Sequence, residues 1–129
     1  MSLEISDDHS IVLVQSRFNH YYPFLKVVFF ERDMQIFVKE RSFKPVMDIT
    51  RMLKEFRIDH NSLFNIEVKK EMKVNEIETL FEKTYGLRAQ IFRKSGNVWL
   101  ETTVTGNWSL EEQNRQGQLI TNQMAVKWS

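Results

Sequence analysis

Cysteine is absent from the 129 residues of this chain. Its absence excludes disulfide frameworks, thiolate nucleophiles and cysteine-based zinc sites. The chain also lacks an apolar run of 18 residues, so the sequence predicts no membrane-spanning helix. The first ten residues, MSLEISDDHS, do not show the basic and then apolar layout of a secretion signal. We therefore expect a cytoplasmic protein without a membrane partner.

Glycine and histidine are scarce as well. The four glycines lie far apart, so no glycine-rich loop is present to cradle a phosphate. The three histidines, His9, His20 and His60, are not spaced as pairs of metal ligands. His9 and His60 each follow an aspartate, and we expect these two to be turn and capping residues. No G-x-S-x-G elbow or other nucleophile motif occurs. The sequence therefore predicts no catalytic residue, no metal and no cofactor.

Neither sign of charge is in excess. Residues 1–60 carry nine basic and nine acidic side chains, and residues 61–129 carry nine and eight. A dedicated nucleic-acid binder usually shows a basic excess or a basic face, so nucleic acid is possible as a partner but is not favoured. Hydrophobic residues make up 42% of the chain and ten residues are Phe, which is enough for one domain with a real core.

The large apolar residues repeat along the chain. In two segments they stand at i, i+3, i+7 and i+11, which is the spacing of a helix with one buried stripe. The first set is Ile11, Val14, Phe18 and Tyr22; the second is Val74, Ile77, Phe81 and Tyr85. Each set is followed directly by a helix breaker, Pro23 or Gly86. The pattern predicts two amphipathic helices that occupy equivalent positions.

The segments that flank the helices repeat too. Alternating apolar residues precede each helix at residues 3–5 and 66–68, and others follow at residues 25–29 and 87–91. A further strand is predicted at residues 36–38 and 98–100, the second behind a tight turn at Ser95-Gly96-Asn97, where Gly and Asn tolerate a positive φ. Each unit therefore reads β-α-β-β, with repeat 1 at about residues 2–40 and repeat 2 at about residues 63–104.

The first helix has an alternative. The run SIVLVQSR contains four consecutive apolar residues, so its local propensity also fits a buried strand. The helix is favoured because the equivalent run, KVNEIETLFEKTY, is clearly amphipathic.

Two further helices are predicted outside the repeats. Val46, Ile49, Leu53 and Phe56 share one helical face, which predicts a connecting helix at about residues 45–57. In the C-terminal part, residues 105–129, Ser109 and Glu112 form a capping box for a short helix that ends at Gly117. For the polar tail that follows, an added edge strand, loose packing and contact with a partner are all open.

The predicted fold is α+β, in a single domain that spans residues 1–129. It consists of the two repeats joined by the connecting helix, with a largely antiparallel sheet and helices on one face. The six strands form either one sheet or two halves of three. We expect the repeats to pack side by side about a pseudo-twofold axis.

The second hairpin carries the candidate interaction surface. Arg88, Gln90 and Phe92 alternate along the strand on the face opposite its apolar residues, and Trp99 lies on the next strand. The predicted surface consists of Arg88, Phe92, Arg93, Lys94, Asn97, Trp99 and Trp108. Exposed aromatic residues on a sheet face usually mark an interface, here of a homo-oligomer or with a protein partner. The alternative is that these residues pack within the fold itself. Aromatic and basic residues together could also stack bases and hold phosphates.

Residues 85–114, YGLRAQIFRKSGNVWLETTVTGNWSLEEQN, resemble a family of small uncharacterised bacterial proteins. Its members share an FGLxVQVFRKSGNxWLETT run, followed by a Trp and an LEEQN helix. Residues 22–30 are similar to the first half of that family. Gly106 and Asn107 stand where the family has two acids. The resemblance implies a small intracellular bacterial protein and transfers no catalytic residue.

Together these observations predict a non-enzymatic protein-interaction or scaffold module that self-associates. One alternative is a nucleic-acid-binding module that uses the basic and aromatic hairpin at residues 88–99. The other is a small-molecule enzyme whose site the sequence does not reveal.

Overall fold

The structure is a computed structural model that describes residues 2–33, 42–57 and 65–128. Its strands are β1 (Leu3–Ser6), β2 (Leu25–Arg32), β3 (Phe43–Pro45), β4 (Asn65–Val68), β5 (Arg88–Ser95) and β6 (Val98–Glu101). Its α-helices are α1 (Ile11–Tyr21), α2 (Val74–Tyr85) and α3 (Leu110–Trp128), and Leu53–Phe56 form a 3₁₀ turn. The predicted α+β class is confirmed. Within the described ranges, no helix is both long enough and apolar enough to cross a membrane.

The strands form two antiparallel sheets. β1 pairs with β4, and the larger sheet has the order β3-β2-β5-β6. The expected grouping into one sheet or two halves of three is therefore wrong, because β1 and β2 of the first half each pair with a strand of the second half. The predicted strand at residues 36–38 lies outside the described residues.

The register of these pairings relates equivalent positions to each other. Glu4 lies opposite Glu67, and Val28 lies opposite Gln90. These partners are separated by 63 and 62 residues, the offsets that relate the two predicted repeats. A twofold axis between two copies would place equivalent residues face to face in this way.

A set of backbone hydrogen bonds also occurs twice. In the first half, four N–H groups donate to carbonyl oxygens at 2.9–3.0 Å: Ile11 to Arg51, Val12 to Ile49, Leu53 to His9 and Lys54 to Asp7. In the second half, four N–H groups donate to carbonyl oxygens at 2.9–3.1 Å: Val74 to Trp108, Asn75 to Gly106, Leu110 to Met72 and Glu111 to Lys70. Residues 49–54 therefore correspond to residues 106–111 in structure. Duplication as the origin of this match stays a prediction.

Both sheets share one hydrophobic core with α1 and α2. The Ser10 side chain caps α1 by accepting from the Leu13 N–H at 3.2 Å, so the helix, and not the alternative strand, forms there. The predicted stripes are buried, and Phe29 of β2 packs on Phe81 of α2 with ring centroids 5.0 Å apart. Burial of side chains of this size contributes about 1.5–3 kcal/mol each.

The predicted connecting helix at residues 45–57 is wrong. Phe43–Pro45 pair with β2, and the Val46 N–H donates to the Phe29 carbonyl oxygen at 3.0 Å. Asp48 then accepts from the Thr50 N–H at 3.1 Å and forms a turn. Because these backbone groups are bonded elsewhere, only the 3₁₀ turn at Leu53–Phe56 remains of the helix.

The predicted end of the C-terminal helix at Gly117 is also wrong. The Ser109 hydroxyl accepts from the Glu112 N–H at 3.1 Å as expected, but α3 continues without a break to Trp128. A Cβ atom on residue 117 would lie 2.9 Å from Cβ of Phe24. Gly117 therefore permits a close approach of α3 to the sheet and does not stop the helix.

Candidate interaction surface

One face of the larger sheet carries half-buried and exposed side chains, and we call it the open sheet face. Side chains alternate along β2, so that Leu25, Val27 and Phe29 are buried while the residues between them are half-buried. The register places four aromatic rings on the open sheet face: Phe30, Phe43, Phe92 and Trp99. It also carries the cations Lys26, Arg32, Arg88 and Lys94 and the acid Glu101.

The cations and the rings of the open sheet face lie next to each other. The Lys26 ammonium is 5.4 Å from the Phe92 ring centroid and 5.0 Å from that of Trp99. The Arg88 guanidinium lies 4.0 Å from the Phe43 ring centroid. Such cation–π contacts contribute about 0.5–1 kcal/mol each at exposed sites. Flat apolar surface and positive charge are therefore interleaved across four strands.

Positive charge is in excess on the open sheet face. Its four cations are accompanied by a single carboxylate, that of Glu101, which lies opposite Phe92 in the register. Two such faces pressed together would bring cations against cations, and like charges across an interface cost free energy. The open sheet face is therefore electropositive.

Most, but not all, of the predicted surface residues lie on this face. Arg88, Phe92, Lys94 and Trp99 are brought together there, with Lys94 directly opposite Trp99. Asn97 is exposed in the β5–β6 turn at its end.

Arg93 and Trp108 lie elsewhere. Arg93 occupies the other face of the sheet, where its Nη1 donates to Oε1 of Gln113 on α3 at 3.0 Å. Its guanidinium is 5.6 Å from the Trp108 ring centroid. Both residues therefore take part in the packing of α3 against β5.

Gly96 fixes the turn that presents Asn97. Its φ is 65°, and its N–H donates to the Thr121 hydroxyl at 3.2 Å. A Cβ atom here would lie 2.6 Å from Sδ of Met124. The turn is thus held by the last turns of α3, as well as by the preference of glycine for a positive φ.

Sequence reasoning missed a buried polar network between the two halves. Asp7 accepts from Arg57 Nη1 at 2.5 Å and from the Tyr85 hydroxyl at 2.8 Å, and all three side chains are buried. Burial raises the pKa of Tyr85, and the hydrogen bond to Asp7 raises it further. Since Asp7 belongs to the first half and Tyr85 to the second, the network joins them. Because its side chains are buried, we assign the network to the scaffold and not to the interaction surface.

The equivalent tyrosine, Tyr22, lies near acids of the other half. Burial, followed by the negative charges of Glu71 and Glu111, raises the pKa of Tyr22 to about 12. The C-terminal end of α1 thus lies near the loop before α2, and the C-terminal end of α2 lies near the loop before α1.

Histidines and carboxylates are the remaining side chains that commonly bind metal ions. In the part of the chain that the structure describes, no group of three or more His, Asp or Glu side chains is placed to hold a metal ion. His9 is a turn residue, because its Nδ1 accepts from the Ser6 N–H at 3.0 Å. Burial, followed by the charge of Arg17, lowers the pKa of His9. His60 lies outside the described residues.

Comparison with protein families, with curated proteins and with solved structures found no match. The resemblance of residues 85–114 to a bacterial family therefore stays an interpretation of those residues.

Proposed function

We propose that this chain is a non-enzymatic, cytoplasmic protein-interaction module whose open sheet face binds an acidic segment of a partner protein. The observation that carries the proposal is the interleaving of four half-buried or exposed cations with four aromatic rings, accompanied by one acid. Aromatic residues and Arg are enriched at the centres of interfaces, where they supply much of the binding free energy.

Stability of the fold does not require these cations. The buried residues of β2 and β5 project to the opposite face, where they meet α1 and α2. Charged side chains on the open sheet face contribute to folding only through weak contacts with the neighbouring rings. Exposing these cations to water costs little free energy. They would attract an anionic surface and so speed its association with the open sheet face.

A single-stranded nucleic acid is the second candidate partner. Lys26 lies between Phe92 and Trp99, and a base that stacks on either ring would leave its phosphate near this ammonium group. The net charge of +1 for the whole chain gives no long-range attraction to a polyanion, which is why we place the protein partner first.

Titration with defined probes tests the proposal. We would follow amide resonances of the labelled chain while adding an acidic peptide of alternating Glu and Phe, the same peptide with Lys in place of Glu, or an oligothymidine of equal length. We expect the acidic peptide to shift residues of β2, β5 and β6 on the open sheet face, and the basic peptide to leave them unchanged.

The outcomes separate the candidates. Stronger binding of oligothymidine, with affinity falling steeply as salt rises, would favour the nucleic-acid module. Shifts confined to other surfaces, or equal shifts with both peptides, would contradict the assignment of this face. A variant in which Arg88→Glu and Lys94→Glu are combined should abolish the response, while Lys69→Glu with Lys83→Glu, an equal change of charge at exposed sites elsewhere, should not.

A further inference from the structure

We infer that the chain forms a weak homodimer through an apolar patch on its first half, separate from the open sheet face. The patch consists of Val12, Leu13, Ile49 and Met52. The inference does not depend on the partner proposed above.

Backbone contacts hold the segment of Ile49 and Met52 against the start of α1, where Val12 and Leu13 lie. The Val12 N–H donates to the carbonyl oxygen of Ile49 at 2.9 Å, and Ser10, two residues before Val12, forms a β-bridge with Met52. The exposed fractions are 42% for Val12, 38% for Leu13, 37% for Ile49 and 40% for Met52. The first turn of α1 and the segment before the 3₁₀ turn thus present apolar side chains to solvent side by side.

The second half shows that the fold does not require apolar residues at these positions. The repeated hydrogen bonds make Asn75, Glu76, Gly106 and Ser109 the counterparts of the four patch residues. Three of these counterparts are polar and the fourth is glycine, yet the backbone makes the same bonds. Met47 is left out of the patch because it and its counterpart Val104 are both apolar and both strongly exposed, at 85% and 96%.

Charges around the patch favour a second copy of the chain as its occupant. The neighbouring charged residues are the cations Arg17, Arg51 and Lys54 and the acids Asp8, Asp48 and Glu55. Some already pair within the chain, as Lys54 and Asp8 do at 3.2 Å. In a twofold dimer the patch of one copy faces the patch of the other. Acidic and basic residues around the patch can then form ion pairs with those of the other copy. The open sheet face, with cations in excess, cannot.

The size of the patch sets the strength of the dimer. A stable interface buries roughly 800 Å² on each partner. Four side chains, each about two-fifths exposed, supply only part of that area. Association should therefore depend on concentration, with monomer prevailing at low micromolar concentrations.

Analytical ultracentrifugation from 10 µM to 1 mM tests the inference. The variant that combines Val12→Asn with Leu13→Glu installs the residues that the second half already carries at these positions. The Glu also completes a capping box with Ser10, so the variant should fold. We expect a concentration-dependent rise in mass for the native chain, and a dissociation constant at least tenfold higher for the variant.

The control is Val104→Ser, which removes the most exposed of these apolar side chains at a site outside the patch, and it should dimerise like the native chain. A native chain that stays monomeric at 1 mM would overturn the inference. So would a folded double variant, verified by circular dichroism, that dimerises as well as the native chain. Equal weakening by Val104→Ser would show non-specific association and would overturn it too.

Discussion

At the scale of single residues, the carboxylate of Asp7 is the side chain on which the joint between the halves most depends. Its ion pair with Arg57 is buried, with both side chains 3% exposed. Asp7→Asn removes one charge of this buried pair, so we expect it to lower the free energy of unfolding by about 3–5 kcal/mol. Denaturation with urea at pH 7 measures the loss.

An exposed ion pair in the same loop provides the control for this prediction. Lys54 and Asp8 lie 3.2 Å apart, but their side chains are 51% and 69% exposed. Lys54→Met should cost less than about 1 kcal/mol, because water screens such pairs. Equal losses from Asp7→Asn and Lys54→Met would contradict the role that we assign to the buried network.

The tyrosines at the helix ends predict a dependence of stability on pH. The pKa of Tyr22 is raised to about 12 in the folded chain, from an ordinary value of 10.0. The folded state therefore holds the phenol proton more tightly, and this contribution to stability is present below pH 10 and is lost as the pH rises from 10 to about 12. The free energy of unfolding should fall over that range, and Tyr22→Phe should make the fall shallower. Equal slopes in the native chain and in Tyr22→Phe would contradict the prediction.

At the scale of elements, α3 differs from its predicted form because of a contact distant in sequence. In an exposed helix, replacing Gly with Ala stabilises by roughly 1 kcal/mol. Here the new methyl group would lie 2.9 Å from Cβ of Phe24 and 3.1 Å from Cγ of Arg93. We expect Gly117→Ala to lower the free energy of unfolding by about 1–3 kcal/mol, as overpacking does.

Measurement of the melting temperature, in the native and in a Phe24→Gly background, checks this explanation. Phe24→Gly removes the Cβ atom that the new methyl group would meet, so the cost of Gly117→Ala should shrink in the double variant. A stabilising effect of Gly117→Ala in the native background would mean that α3 is not packed against the sheet at this position.

Local patterns predicted the elements whose partners are close in sequence. The stripes of α1 and α2 follow from the 3.6-residue period, and the β5–β6 hairpin follows from Gly96 and the alternation before it. Alternation also places Arg93 on the same side as Ala89 and Ile91, which is the side where the structure has it. The prediction of Arg93 as a surface residue followed the run of basic residues and not this alternation.

Long-range contacts account for what the sequence did not reveal. The spacing of Val46, Ile49, Leu53 and Phe56 is helical, but the backbone of this segment bonds to β2 and to the loop before α1. No local sequence pattern indicated that Arg57 is buried in an ion pair, since its partner Asp7 is 50 residues away. Non-local pairing of this kind overrides local periodicity.

At the scale of the whole molecule, the two halves share a backbone frame and differ in what they expose. The first half presents the apolar patch, and β2 of the first half joins β5 and β6 of the second to form the open sheet face. We assign the open sheet face to an acidic partner and, independently, the patch to a second copy of the chain. The two surfaces should therefore respond to different substitutions.

Binding by the open sheet face is tested most directly by comparing the proteins that three forms of the chain retain from a lysate of the source organism. The forms are the native chain, the face variant Arg88→Glu with Lys94→Glu, and the control Lys69→Glu with Lys83→Glu, which has the same net charge as the face variant. We predict at least one protein that the native and control chains retain and the face variant loses, and this protein, once purified, should bind the three forms directly in the same order. If the face variant retains the same proteins in the same amounts as the native chain, the open sheet face is not the binding surface.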